Sequence, residues 1–286
     1  MIVVKLMGGL GNQMFQYAFG RSLSLKMCLP LTVDLSWFNN SISGETKRYY
    51  ELEPFGISIP VNTNSGKIKL PGITSRIFRK LTGQQVPIIL HEGFDISKKK
   101  ILNSKYIIIE GYFQQEEYFA EHASIVRNDF LRKCTFSPPL NSYLNIVGNP
   151  FSVSVHVRRG DYITNPNANI YHGVMPRDYY IKAIEQMKEM ITAPEFIFFS
   201  DDINWCRDNF YSYSNVSFVE TDPERSPVSD LWLMSRCSNH IIGNSSFSWW
   251  GAWLSQNLKK RIIAPKTWFS HAQSKPFILP EKWIKL

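Results

Sequence analysis

Residues 152–162 read Ser152-Val153-Ser154-Val155-His156-Val157-Arg158-Arg159-Gly160-Asp161-Tyr162. A β-branched run breaks into two arginines, a glycine and an acid, the pattern of a buried strand that empties into a polar turn. Working outward from it, residues 176–191 read as a helix with proline in its first turn, and 195–200 as a strand. Residues 216–220, 240–243 and 261–264 read as further strands, with helical stretches at 227–237 and 245–258. Alternation of this kind predicts an α/β fold with a doubly wound parallel sheet, in which ligands gather beyond the carboxyl ends of the strands.

Upstream, residues 2–6 form a short apolar strand, followed by Gly8-Gly9-Leu10-Gly11-Asn12-Gln13-Met14. A helix is expected from about 12 to 27 and a strand at 29–35. Turn residues interrupt every pattern between 36 and 105. A strand at 106–110 then leads to an amphipathic helix near 116–132. The stretch from Ser137-Pro138-Pro139 to Asn149-Pro150 reads as a linker, giving domains at 1–140 and 151–286.

With 44% hydrophobic and 20% charged residues, the chain has the balance of a soluble globular protein. Its net charge of +8 suits an anionic ligand or surface. Lys98-Lys99-Lys100 is an isolated triplet, and without a basic block or a known motif the reading excludes nucleic acid as partner. Cys28, Cys134, Cys206 and Cys237 lack metal-ligand spacing and read as reduced, mostly core thiols. Met1 leads straight into an apolar strand and no stretch reaches the length of a membrane span. The expectation is a cytoplasmic protein, with peripheral contact at the inner membrane as its closest approach to lipid.

Three segments carry chemistry. Arg158 and Arg159 leave the strand end as charged forks suited to a diphosphate, Gly160 lets backbone approach a ligand, and Asp161 supplies a carboxylate. The alternative is a salt-bridged strand end. Asn244-Ser245-Ser246-Phe247 stands where a strand meets a helix N-terminus, where hydroxyls, amides and the helix dipole favour phosphate; a plain serine or asparagine cap is the alternative. Trp250 and Trp253, three apart, are expected in the core. The glycine loop at 8–11 is an incomplete dinucleotide fingerprint, because Met14 stands where glycine or alanine belongs. Asp34 lies at about the spacing of a ribose partner, and Asn12, Gln13 and Gln16 are uncharged groups able to read hydroxyls. Asp201 and Asp202, at a strand end, suit a helix cap or an arginine clamp better than a metal.

Taken together, Gly8-Gly9-Leu10-Gly11-Asn12-Gln13-Met14-Phe15-Gln16, His156-Val157-Arg158-Arg159-Gly160-Asp161-Tyr162, Phe199-Ser200-Asp201-Asp202 and the run from Asn244 to Leu254 resemble the bacterial α-1,2-fucosyltransferases of glycosyltransferase family 11. The resemblance spans nearly the whole chain, with the motifs in order. It implies a GT-B-like fold of two Rossmann-type domains facing across a cleft, with GDP-fucose as donor. It also implies inversion at the anomeric carbon, a β-galactoside or lipid-linked glycan as acceptor, and no metal or cofactor.

By the same resemblance, Arg158 binds the β-phosphate, His156 contacts the nucleoside, Asp230 reads guanine, and Ser245 and Ser246 hold phosphate. Arg159, Asp202, Asn244 and Phe247 complete the donor side. Gly9, Gly11, Asn12 and Gln13 face fucose and acceptor. Asp161 is the candidate base, with orientation of the arginines as its other reading. Rival classes are a fucosyltransferase of different linkage or acceptor and a GDP-sugar-binding protein without turnover. A dehydrogenase would need the intact glycine fingerprint.

Overall fold

The structure is a computed structural model and describes residues 1–39, 46–62, 87–94, 101, 103–131, 141–220, 226–270 and 279–286. The chain divides into two compact units, one covering residues 1–42 and 47–129, the other 43–46 and 130–286.

Unit 1 is a parallel sheet of β1 (Ile2–Lys5), β2 (Leu31–Asp34), β3 (Ile88–Leu90) and β4 (Ile107–Ile109), in the order β2-β1-β4-β3. Helix α1 (Leu10–Met27) links β1 to β2 as a parallel crossover. Met14, Phe15, Ala18 and Phe19 form a fully buried apolar face, and Gln13, Gln16 and Ser24 on the other side are buried too. Gly20 permits close approach to the sheet, since a Cβ there would overlap Val4. The order reverses between β1 and β4, and there the glycine loop meets the loop that follows β4.

The helix expected at 116–132 is shorter. Single 3-10 turns occupy Glu116–Tyr118 and Ala120–His122 before α2 (Ala123–Leu131) begins, with Phe119 breaking the helical backbone between them. Residue 132 lies outside the described residues, as do the Lys98–Lys100 triplet, Cys134 and the first part of the expected linker. The rest of that linker is corrected: Asn141–Val147 forms helix α3, which buries Val147 in a core of unit 2.

Unit 2 holds β5 (Ser152–Val157), β6 (Glu195–Ser200), β7 (Val216–Phe218), β8 (Asn239–Ile241), β9 (Ile262–Ala264) and β10 (Ile284–Lys285), all parallel. The sheet order β10-β9-β8-β5-β6-β7, read from the β7 edge, is the 3-2-1-4-5-6 order of the dinucleotide-binding fold. Both faces are covered, as a parallel sheet requires. Alternate residues of β6 serve the two cores: Phe196 and Phe198 on one face, Ile197 and Phe199 on the other. Between strands lie α4 (Gly160–Thr164), α5 (Pro166–His172), α6 (Arg177–Met190), α7 (Ile203–Phe210), α8 (Pro227–Arg236) and α9 (Ser246–Leu254). On α6, Tyr180, Ala183, Ile184 and Met187 recur at helical spacing and are buried.

Helix α9 is almost wholly interior. Trp249, Trp250 and Trp253 pack together, and Trp250 sits edge-on to Phe130. Its closing carbonyls are satisfied by Lys260, whose Nζ reaches Ala252, Trp253 and Ser255 at 2.6–3.2 Å. Gly251 lets α8 pack tightly, because a Cβ there would lie 2.5 Å from Met234 Cε.

Candidate active site

In unit 2 the order reverses between β5 and β8, so their carboxyl ends flank the crevice where this topology places ligands. Two tyrosines on α6 hold those ends. Tyr179 Oη donates to Ile242 O at 2.6 Å, and Tyr180 Oη donates to His156 O at 3.4 Å. Gly243 fits between, since a Cβ there would lie 2.9 Å from Tyr180 Oη. Neither tyrosine announced itself in the sequence as more than part of an apolar helix face.

Arg158 leaves β5 between two carboxylates. Nη2 donates to Asp161 Oδ1 at 2.7 Å and Nη1 to Asp201 Oδ2 at 2.8 Å. Burial works against its charge, but Asp201 and then Asp161 outweigh it and raise the guanidinium pKa further. About a quarter of the side chain stays exposed, leaving a preset cation open to an anion. Asp201 also accepts from the Arg159 backbone N–H at 2.9 Å. Gly160 is required for this approach: a Cβ would lie 2.5 Å from Asp201 Oδ2.

Arg159 donates from Nε to Asp202 at 3.0 Å and stacks over Trp205 at 4.2 Å. Asp202 also caps α7, accepting from Trp205 N–H at 3.2 Å. The adjacent acids are therefore an arginine clamp and a helix cap. Among the described residues, no three His, Cys, Asp or Glu side chains converge as a metal site. Asp161 is held by Arg158, which favours its orienting reading.

Ser245 is the N-cap of α9, yet its hydroxyl makes no capping bond. The dipole end and the first amides of α9, at Ser246 and Phe247, therefore stay open to an anion. Both residues are half-buried. Asn244 is buried and donates its amide N–H groups to His172 O at 2.8 Å and Gly173 O at 3.1 Å, pinning the end of α5, while its Oδ1 is sealed without a partner among the described residues. Tyr162 joins this brace, donating to Asn244 O and stacking on His172 with centroids 4.7 Å apart. Asp230 lies in the first turn of α8, half-buried.

His156 is buried, with Nδ1 2.6 Å from Ser248 Oγ and its ring 5.3 Å from that of Phe247. Burial holds its pKa down at about 4, with Asp201 pulling up and Arg158 down. His240, also buried, lies well below the usual imidazole range for the same leading reason. A folded pKa below the unfolded value of 6.5 means that the unfolded chain takes up protons the native state refuses. The contribution is complete above pH 6.5 and is lost as pH falls toward the folded value. The melting temperature is therefore expected to fall steadily from about pH 7 to about pH 4.5. Calorimetry across that interval checks this, and a flat profile would mean that both imidazoles ionise freely when folded.

In unit 1, Asn12 and Gly9 lie half-buried on the glycine loop, and Gly11 is buried in the first turn of α1. Gly8 takes φ +75° in the turn that precedes the helix. Asn12 Oδ1 accepts from Gln114 Nε2 at 2.6 Å, and Gln114 lies on the loop after β4. The Arg48 guanidinium lies 3.7 Å from a Cβ built on Gly9. Gln13 is fully buried, its Nε2 donating to Gly8 O and Tyr49 O and its Oε1 accepting from Glu51 N, so it ties the loop to its neighbour. Gln16 likewise accepts from Met7 N, and Asp34 from Ser36 N at the end of β2.

The family model of Glycosyl transferase family 11 matches residues 1–286. The chain belongs to that family. This family 11 chain is 33% identical to the O-antigen biosynthesis glycosyltransferase WbnK of Escherichia coli, over 98% of its own length and 99% of the relative's. It is 35% identical to an α-1,2-colitosyltransferase of Escherichia coli, over 100% and 98% of the two chains. In fold it is similar to Arabidopsis thaliana FUT1, a mutant form in complex with GDP, with TM-score 0.51 and 12% identity over 91% of this chain and 69% of the other. The fold is thus α/β of the GT-B-like class, with a parallel sheet in each unit.

Proposed function

We propose that this glycosyltransferase moves L-fucose from GDP-fucose to the 2-hydroxyl of a terminal galactose, with inversion and without a metal. The observation that carries the donor chemistry is Arg158, held by two carboxylates at the switch point of a dinucleotide-type sheet, on the same sheet end as the uncapped N-terminus of α9. As the C1–O bond of the donor breaks, negative charge grows on the β-phosphate. The guanidinium, the Ser245 and Ser246 hydroxyls and the α9 amides meet that charge where it develops. Arg159, Asp202 and Asp201 hold the arrangement, and His156, Phe247 and Asp230 serve the nucleoside. The acceptor hydroxyl attacks the opposite face of the sugar, and Asp161 sets Arg158.

The name of the colitosyltransferase relative favours a second donor, because colitose is the 3-deoxy counterpart of fucose. Kinship to an O-antigen enzyme supports a bacterial surface glycan as acceptor. The site of action proposed is the cytoplasmic face of the inner membrane, reached through peripheral contact.

The test is turnover of GDP-fucose and GDP-colitose, with EDTA present, against lactose, N-acetyllactosamine and Gal-β1,3-GalNAc, with product linkage by NMR. An α-1,2-fucosylated galactoside is expected. Transfer from GDP-colitose alone would replace the donor, another linkage would replace the acceptor reading, and loss of turnover on EDTA treatment would overturn metal independence.

A further inference from the structure

Strand β5 carries a polar stripe, Ser152, Ser154 and His156, all buried on the same face of the strand. Ser152 bonds to backbone, with its Oγ 2.9 Å from Val147 O. Ser154 Oγ lies 2.7 Å from His240 Nδ1 on β8, and His156 Nδ1 lies 2.6 Å from Ser248 Oγ on α9. The chain has thus built the same serine–imidazole pair twice, two residues apart. The pairs differ at the far nitrogen. His240 Nε2 is sealed in the core without a partner among the described residues, whereas His156 Nε2 is not among the sealed atoms and carries no hydrogen bond there.

Proton accounting fixes which nitrogen of His156 holds hydrogen. The ring is buried and neutral, so it has one N–H. Ser248 is fully buried, and among the described residues its hydroxyl has His156 Nδ1 as its partner and no other. If Nδ1–H donated to the serine, the serine hydrogen would be buried without an acceptor, a costly arrangement. If the serine donates to Nδ1, both groups are satisfied and the ring hydrogen sits on Nε2. The Phe247 ring and the Tyr180 bond to His156 O then hold the imidazole in place.

We propose that Ser248 is a positioning residue that holds His156 as the Nε2–H tautomer, so that the end of β5 offers an N–H donor to an oxygen of the donor nucleoside diphosphate. This rests on the reading of the crevice as a nucleotide-sugar site, and it assigns Ser248, a core position of a tryptophan-rich helix, to donor recognition.

The test is ¹⁵N NMR of the histidine rings in the ligand-free protein, with His156 assigned by its loss in His156→Asn, together with GDP affinity by calorimetry. Wild type should show Nδ1 unprotonated and Nε2 protonated. Ser248→Ala should release the ring to a mixture of tautomers and weaken GDP binding by about tenfold, and Ser248→Thr should restore both. A proton on Nδ1 in wild type would overturn the proposal. So would an unchanged tautomer and unchanged GDP affinity in a folded Ser248→Ala protein. Absence of GDP binding in every form, with the tautomer as expected, would instead sink the nucleotide reading of the site.

Discussion

Lysine in place of Arg158 lowers transfer by about two to three orders of magnitude, the loss of roughly 3–4 kcal/mol of transition-state stabilisation. The reason is geometric. Arg158 reaches Asp161 and Asp201 through two different nitrogens and still exposes part of its guanidinium. An ammonium is a point charge with no planar fork to serve two carboxylates and a phosphate together. It would turn to one acid and leave the other unbalanced beside the incoming diphosphate. The decrease should fall mainly in kcat, because charge on the β-phosphate is greatest in the transition state. Steady-state kinetics with GDP-fucose measures it, and GDP affinity measured alongside separates ground-state binding. An Arg158→Lys protein with transfer within about tenfold of wild type would show that the α9 N-terminus carries the charge instead.

Valine in place of Gly20 destabilises the protein by about 3 kcal/mol, the upper range for overpacking a filled core. Gly20 is buried on the face of α1 that lies against the sheet of unit 1. A built Cβ overlaps Val4 on β1 and lies 3.1 Å from Leu31 Cδ1 on β2. Neither neighbour is the tip of a long flexible side chain, so the helix itself must lift. Lifting α1 also moves the glycine loop at its N-terminus, which Gln13 ties to Tyr49 and Glu51. Melting temperature is expected to fall by about 6–12 °C. Calorimetry decides it, and an unchanged melting temperature would show that α1 repacks without strain.

Much of unit 2 was legible because its strands are buried on both faces. Such strands read as continuous apolar or β-branched runs, and β5 and β6 have the bounds expected of them. Helices α4 and α5 were not legible, because Gly160–Thr164 and Pro166–His172 are short and carry few buried residues. The pattern between 141 and 147 is equally short, and the flanking prolines pointed to a linker.

Residue type alone established that two arginines end a central strand and that a serine-rich turn opens an aromatic helix, and the motifs carry the resemblance to family 11. Only the tertiary structure decided what each polar group is free to do. Asn12 and Gln13 are adjacent amides of the same chemistry, yet the turn of α1 leaves one half-exposed and buries the other against three backbone groups. Asn244 and Ser245 divide in the same way: the amide N–H groups go to the end of α5, and among the described residues the hydroxyl makes no capping bond on α9. A hydrogen-bonding group serves one set of partners at a time, and partners 36 to 72 residues away in sequence come together only when the sheet order places them side by side.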